Sequence, residues 1–117
     1  MPQPDRRQNY PSGTTKTGFY LKKIENAVRL EVQIFVPQKE ELFPNRIQLF
    51  VNGKLAHTLG LESVDQFGEQ LLSADLSRPD LETDVLEVVI TSETYWSTIS
   101  DNTMRSYQLK RAFQTPD

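Results

Sequence analysis

The sequence VRLEVQIFV, residues 28–36, alternates between two kinds of side chain along its whole length. Every second position is apolar, and the positions between carry Arg29, Glu31, Gln33 and, as the one apolar member, Phe35. Successive side chains of a strand point to opposite faces, so a period of two predicts a strand with one buried face. The predicted inward set is Val28, Leu30, Val32, Ile34 and Val36.

A second alternating run, RIQLFV at 46–51, leads into Asn52-Gly53 and then into KLAHTLGL at 54–61. Asn-Gly between two such runs is typical of a type I′ hairpin, because both central residues of that turn need a positive φ. We therefore expect an antiparallel pair of strands joined by a tight turn. The alternation of the return strand puts Leu55, His57 and Leu59 on one side and Ala56 and Thr58 on the other. Packing across the strands decides which side is buried.

Three further segments complete the predicted strands. Residues 84–92 are apolar on both faces, which favours a central strand, and residues 105–113 alternate as a last strand. Residues 62–74 leave two alternatives open. Ser63 and Gln66 could form a capping box for a short helix, whereas the alternation that follows favours a loop and then a strand.

The number and spacing of these segments predict the fold class. Six or seven short strands separated by turn signals, with at most one short helix, indicate an all-β fold, an antiparallel two-layer β-sandwich. Residues 1–16 hold three of the seven prolines and little to bury, which is typical of a flexible arm or linker. The single folded domain is expected at 17–114, with its first strand near Phe19.

Composition narrows the possible functions. The chain has no cysteine and therefore no disulfide or thiolate metal site, which fits a cytoplasmic location. No apolar stretch has the length of a signal peptide or a membrane span, so we expect no membrane association. The net charge of −3, with lysines and arginines scattered, argues against nucleic-acid binding.

A family resemblance rests on three segments in order: GFYLKKIENAVRLEVQIFVP, NRIQLFVNGKLAHTLGL and LEVVITSETYWSTISDNTMRSYQLKRAF. Together they resemble the jelly-roll, galactose-binding-like β-sandwich modules found beside bacterial glycosyltransferases and glycoside hydrolases. Such modules share a Val-Asn-Gly-Lys hairpin, here at 51–54, followed by a Trp, an acidic or amide residue and an Arg, here Trp96, Asp101 and Arg105. The resemblance implies a jelly roll and, as for many of these modules, sugar binding.

The aromatic and polar cluster that follows residue 94 has two interpretations. Tyr95 and Trp96 could offer a flat aromatic face to a sugar ring, with hydrogen bonds to its hydroxyls from Asp101, Asn102 and Arg105. Alternatively, Trp96 plugs one end of the sandwich while Asp101 and Arg105 form a salt bridge at a corner of the fold. The structural interpretation is favoured, and both stay open.

Catalytic chemistry finds no support in the sequence. His57 is the only histidine, it lies within a predicted strand, and no Gly-x-Ser-x-Gly elbow occurs. The carboxylate pairs Glu40-Glu41 and Glu62/Asp65 each lie within one loop, whereas glycosidases hold two carboxylates apart across a cleft. We therefore expect no enzyme activity, no metal site and no cofactor. A structural calcium ion, common in the resembled modules, stays open.

Two functions follow as hypotheses. The first is a non-catalytic carbohydrate-binding accessory module that uses the cluster from Tyr95 to Arg105 or a concave sheet face. The alternative is a protein-interaction or oligomerisation module without sugar binding, a homodimer being one possibility. In that alternative Phe35 and Phe50 make the contact, because alternation points both outward, or an edge strand pairs with a partner.

Overall fold

The computed structural model describes residues 15–77, 83–94 and 107–116. They form two antiparallel sheets packed over one core, which confirms the predicted two-layer β-sandwich. Helical structure in this part of the chain is limited to two 3₁₀ turns, Glu40–Leu42 and Val64–Gln66. The strands are β1 Thr15–Lys22, β2 Ala27–Val36, β3 Asn45–Val51, β4 Lys54–Leu61, β5 Gly68–Asp75, β6 Val85–Ser92 and β7 Gln108–Pro116.

The strand pairs are nested along the chain. β3 pairs with β4, β2 with β5, and β1 with β6, so the chain folds back on itself as one long hairpin. Successive pairs alternate between the layers, giving a four-stranded sheet of order β1-β6-β3-β4 and a three-stranded sheet of order β5-β2-β7. This nesting is compatible with a jelly roll, in which hairpin-paired strands wrap into two layers.

β2 supplies the middle of the three-stranded sheet and much of the core. Leu30, Val32, Ile34 and Val36 are fully buried, as the alternation predicts. Val28 is only half-buried, and the register with β7 shifts beside it, so that Ala27 is the buried residue at this end. A bulge adds one residue and changes which side chains face inward, and a pattern of period two cannot reveal it.

The hairpin between β3 and β4 has the predicted turn. Asn52 and Gly53 have φ values of 52° and 84°, both in the left-handed region that a type I′ turn requires. A register shift follows, because Leu49 lies opposite His57 whereas Phe50 lies opposite Leu55. The prediction that Leu55 and His57 share one side is therefore wrong. Leu55 lies opposite an outward residue, and the register shift places His57 opposite an inward one.

The ambiguous segment before β5 contains parts of both alternatives. Ser63 and Gln66 make the predicted capping box, but it begins only the single 3₁₀ turn at Val64–Gln66. Gly68, at a φ of 115°, then opens β5, which confirms a loop followed by a strand.

The other strands occur where the sequence predicts them, but with different bounds. β6 lies inside its sheet, between β1 and β3, which confirms that residues 84–92 include a central strand. β1 begins at Thr15, earlier than the expected Phe19, and β7 extends to Pro116.

Candidate functional site

An apolar row crosses the outer face of the four-stranded sheet. Val89 of β6 lies opposite Gly18 of β1 on one side and opposite Phe50 of β3 on the other, and Phe50 in turn lies opposite Leu55 of β4. The row therefore has one residue from each strand of the sheet. Phe50 and Val89 are half-buried, whereas 50% of Leu55 is exposed. We call Gly18, Val89, Phe50 and Leu55 the outer row.

Two features of β1 leave this row open to contact. Gly18 contributes no side chain, and a methyl group added there would lie 3.8 Å from Cγ2 of Val89. Tyr20, the next outward residue of β1, is 70% exposed, the highest value among the exposed large apolar and aromatic side chains of the described residues. An aromatic ring with so much free surface beside an apolar row is typical of a contact surface.

Polar and charged residues surround the outer row. Thr91, Gln48 and Thr58 form the parallel row on one side, and Gln48 donates to Thr58 at 3.4 Å. On the other side Tyr20 lies opposite Glu87. Sugar hydroxyls and protein side chains both bind to such a mixture of apolar and hydrogen-bonding groups.

The two phenylalanines predicted to make contacts lie on different layers. Phe35 belongs to the outer face of the three-stranded sheet, between Glu69 of β5 and Gln108 of β7. Phe50 belongs to the outer face of the other sheet, and both rings are half-buried. The prediction from alternation that both rings point outward is confirmed. Because the two outer faces look in opposite directions, Phe35 and Phe50 cannot belong to one contact patch.

A buried polar cluster closes the end of the sandwich where β6 ends. Asn45 is 6% exposed, and its Oδ1 accepts from the backbone N–H groups of Arg46, Glu93 and Thr94 at 2.7, 3.1 and 3.2 Å. Its Nδ2 donates to Oγ of the fully buried Ser92 at 2.9 Å. The side chain of Asn45 thus holds the start of the chain segment that leaves β6.

The predicted sugar-binding residues Tyr95, Trp96, Asp101, Asn102 and Arg105 lie outside the described residues. The residues on either side of them are firmly attached to the core. Thr94 donates from its hydroxyl to the carbonyl of Leu42 at 2.8 Å, and Tyr107 donates from its hydroxyl to the carbonyl of Ile90 at 3.1 Å. Thr94 and Tyr107, the described residues on either side of this segment, are therefore both fixed to the core.

His57 has a structural partner. Its Nδ1 accepts from the backbone N–H of Ser73 at 3.0 Å, which joins β4 of one sheet to β5 of the other. This bond requires Nδ1 without a proton, so the neutral ring carries its proton on Nε2. In the described ranges no group of three or more His, Asp or Glu side chains is placed to hold a metal ion.

The sequence contained a signal for part of the outer row. A two-residue turn at Asn52-Gly53 fixes Val51 opposite Lys54 and hence Phe50 opposite Leu55. The positions of Val89 and Gly18 beside them depend on pairing between strands far apart in the chain, which no local pattern reveals.

Comparisons with known proteins add no relative. No protein-family model matches the chain, and no curated protein does. Across the parts of the chain that the structure describes, no helix is long and apolar enough to cross a membrane.

Proposed function

We propose that this domain is a non-catalytic interaction module, and that it associates with a second copy of itself through the outer face of the four-stranded sheet. The supporting observation is the outer row, which runs across all four strands and continues into the 70% exposed Tyr20. Removing such apolar surface from water lowers the free energy by about 25 cal/mol per Å². A partner that covers an apolar strip at the centre of a sheet face therefore gains the most binding free energy.

The size of the face sets the strength of this association. With strands about 4.8 Å apart and a rise of about 3.3 Å per residue, the face measures roughly 19 by 25 Å. Standard protein interfaces bury about 800 Å² per partner. The projected area of the face, about 475 Å², is smaller than that. We therefore expect a weak, reversible dimer.

The charges on this face allow it to meet its own copy. Lys16 and Lys22 lie on β1, and Glu87 lies on the adjacent β6. Arg46 and Glu93 neutralise each other at the end of the sheet, with Nε of Arg46 donating to Glu93 at 2.7 Å. In a two-fold dimer the same patch meets itself, so a face with both signs can place lysine against glutamate.

The test compares two leucines of equal exposure on opposite layers. Leu55 of the outer row is 50% exposed, and Leu71, on the outer face of the three-stranded sheet, is 48% exposed. Sedimentation velocity over a range of concentrations should show that the wild-type protein and Leu71→Lys dimerise alike. Leu55→Lys should weaken dimerisation about tenfold or more, because it buries an unpaired charge. A wild-type protein that stays monomeric at millimolar concentration, or equal effects of the two variants, would refute the proposal.

Sugar binding by the residues from Tyr95 to Arg105 is the second candidate. It is favoured by the attachment of Thr94 and Tyr107 to the core, because fixing the residues on either side of a binding site lowers the entropy cost of binding. A glycan array tests it: binding that disappears in Trp96→Ala while circular dichroism stays unchanged would support it. A wild-type protein that binds no glycan would reject it.

A further inference from the structure

The outer edge of β1 has backbone groups that no described residue pairs with. The N–H of Lys23 donates to the carbonyl of Asp84 at 2.8 Å, so Lys23 directs its backbone groups toward the β6 side. Alternate residues of an edge strand direct their N–H and C=O to opposite sides. Gly18, Tyr20 and Lys22 therefore direct theirs away from β6, and β1 has no strand on that side among the described residues.

One side chain already bonds to this edge as an added strand would. Gln114 of β7 donates from Nε2 to the carbonyl of Lys22 at 2.9 Å and accepts at Oε1 from the N–H of Ile24 at 2.9 Å. Its amide thus makes the paired donor and acceptor bonds of a peptide group at one end of β1. Gly18 and Tyr20, further along the same edge, keep the same kind of groups for another partner.

The side chains beside this edge define the partner's chemistry. Lys16 and Lys22 are exposed and make no ion pair with any described residue, while Glu87 lies one strand inward, opposite Tyr20. Gly18 between them leaves space for a large side chain on the strand that pairs with it. A strand with acidic residues at its two ends and an aromatic residue in between would complement these positions.

The lysines disfavour a second copy of β1 at this edge. If two β1 strands paired antiparallel about Phe19, Gly18 would face Tyr20 of the copy, but Lys16 would face Lys22 of the copy at both ends. Like charges directly opposite each other destabilise a strand pair. Self-pairing in this register is therefore disfavoured, as edge lysines commonly disfavour edge-to-edge association.

We propose that the outer edge of β1 binds an extended acidic segment of another protein by strand addition, with backbone hydrogen bonds to Gly18 and Tyr20 and charge pairs to Lys16 and Lys22. Main-chain hydrogen bonds supply most of the affinity, and the two lysines favour partner strands with acidic side chains. The partner strand binds backbone groups at the edge of the sheet, whereas the proposed dimer uses its outer face. The side chains of Tyr20, Lys16 and Lys22 border both surfaces.

The test uses a capped seven-residue peptide with Glu at both ends, Tyr at the fifth position and Val or Thr elsewhere. Antiparallel pairing places its two Glu opposite Lys22 and Lys16 and its Tyr opposite Gly18. We expect chemical-shift changes concentrated in β1 on titration, slower exchange of the Gly18 and Tyr20 amides, and weaker binding at high salt. A control peptide with Lys in place of both Glu should bind at least about tenfold more weakly.

Two variants separate edge pairing from other contacts. Tyr20→Pro removes an N–H from the outer edge and none from the β6 ladder, so it should abolish binding. The double variant Lys16→Glu and Lys22→Glu changes only exposed side chains, so it should fold normally and prefer the Lys peptide. The proposal is overturned if neither peptide binds, if the charge reversal does not reverse the preference, or if the shifts centre on Phe50 and Leu55. None of those outcomes tests the proposed dimer, because dimerisation is measured without peptide.

Discussion

Asn45 is the residue on which one end of the sandwich depends most. Its amide makes four hydrogen bonds, three accepted from backbone N–H groups and one donated to Ser92, all at a position that is 6% exposed. Ser92 passes the network on by donating to the carbonyl of Thr94 at 2.9 Å. A buried polar group that loses its partner costs the full penalty of its desolvation. The cluster is therefore sensitive to any change at Asn45.

We predict that Asn45→Ala lowers the free energy of unfolding by about 2–4 kcal/mol, because it leaves three N–H groups and the Ser92 oxygen without this partner. Asn45→Asp should cost less, about 1–2 kcal/mol, since a carboxylate oxygen still accepts the three N–H bonds. Urea denaturation followed by circular dichroism measures both. Equal losses in the two variants would show that the accepted bonds contribute nothing.

This role of Asn45 could not be read from the sequence. Asn45 stands before an alternating run, beside Pro44, where a turn residue is the ordinary expectation. Two of the three N–H groups that it accepts from belong to Glu93 and Thr94, which approach only because β3 pairs with β6. The chemistry of the residue was visible, and its partners were not.

At the scale of elements, the β3–β4 hairpin shows how one turn serves two strand pairs. Beyond its positive φ, Asn52 donates from its N–H to the carbonyl of Glu87 and accepts at Oδ1 from the N–H of Glu87, both at 2.8 Å. The turn therefore also continues the β3–β6 ladder. Gly53, with a φ of 84° and no atom within 4 Å of an added Cβ, is required by its backbone alone.

Substituting alanine at two glycines of this hairpin should change the stability of the protein in different directions. Gly53→Ala should cost about 1 kcal/mol, because a Cβ disfavours the left-handed region even where space is free. Gly60 of β4 has equally open surroundings without a positive φ, so Gly60→Ala should be neutral or stabilise by up to about 1 kcal/mol by restricting the unfolded chain. Thermal unfolding compares the two. A loss of stability in Gly60→Ala as large as that in Gly53→Ala would contradict the argument from φ.

Strand identity was predictable from the sequence, and strand register was not. The alternation in β2 and the Asn-Gly turn gave the strands and one tight pairing, because both depend on neighbouring residues. The register shifts beside Ala27 and Phe50 each exchange inward and outward positions, and such bulges depend on the partner strand. The shift beside Phe50 is what places His57 on the inner face, apart from Leu55.

In the whole molecule, the two layers are joined at both flanks by side chains that bond to the backbone of the other sheet. On the β4/β5 flank, His57 accepts from the N–H of Ser73. On the β1/β7 flank, Gln114 bonds to the carbonyl of Lys22 and the N–H of Ile24. Each tie satisfies a strand edge that would otherwise depend on water. The sandwich is closed by these ties as well as by its apolar core.

The two ties should act independently, since β1 and β4 lie at opposite edges of one sheet, about 14 Å apart at the usual strand spacing. His57→Leu and Gln114→Leu remove the hydrogen bonds and leave a side chain of similar size. Each should lower the free energy of unfolding by about 1–2 kcal/mol. The double variant should lose the sum of the two within about 0.5 kcal/mol, because distant sites without shared partners are additive. Urea denaturation measures all four proteins at one temperature. A double variant that loses clearly more than the sum would show that the flanks open together, and the description of two separate ties would then be wrong.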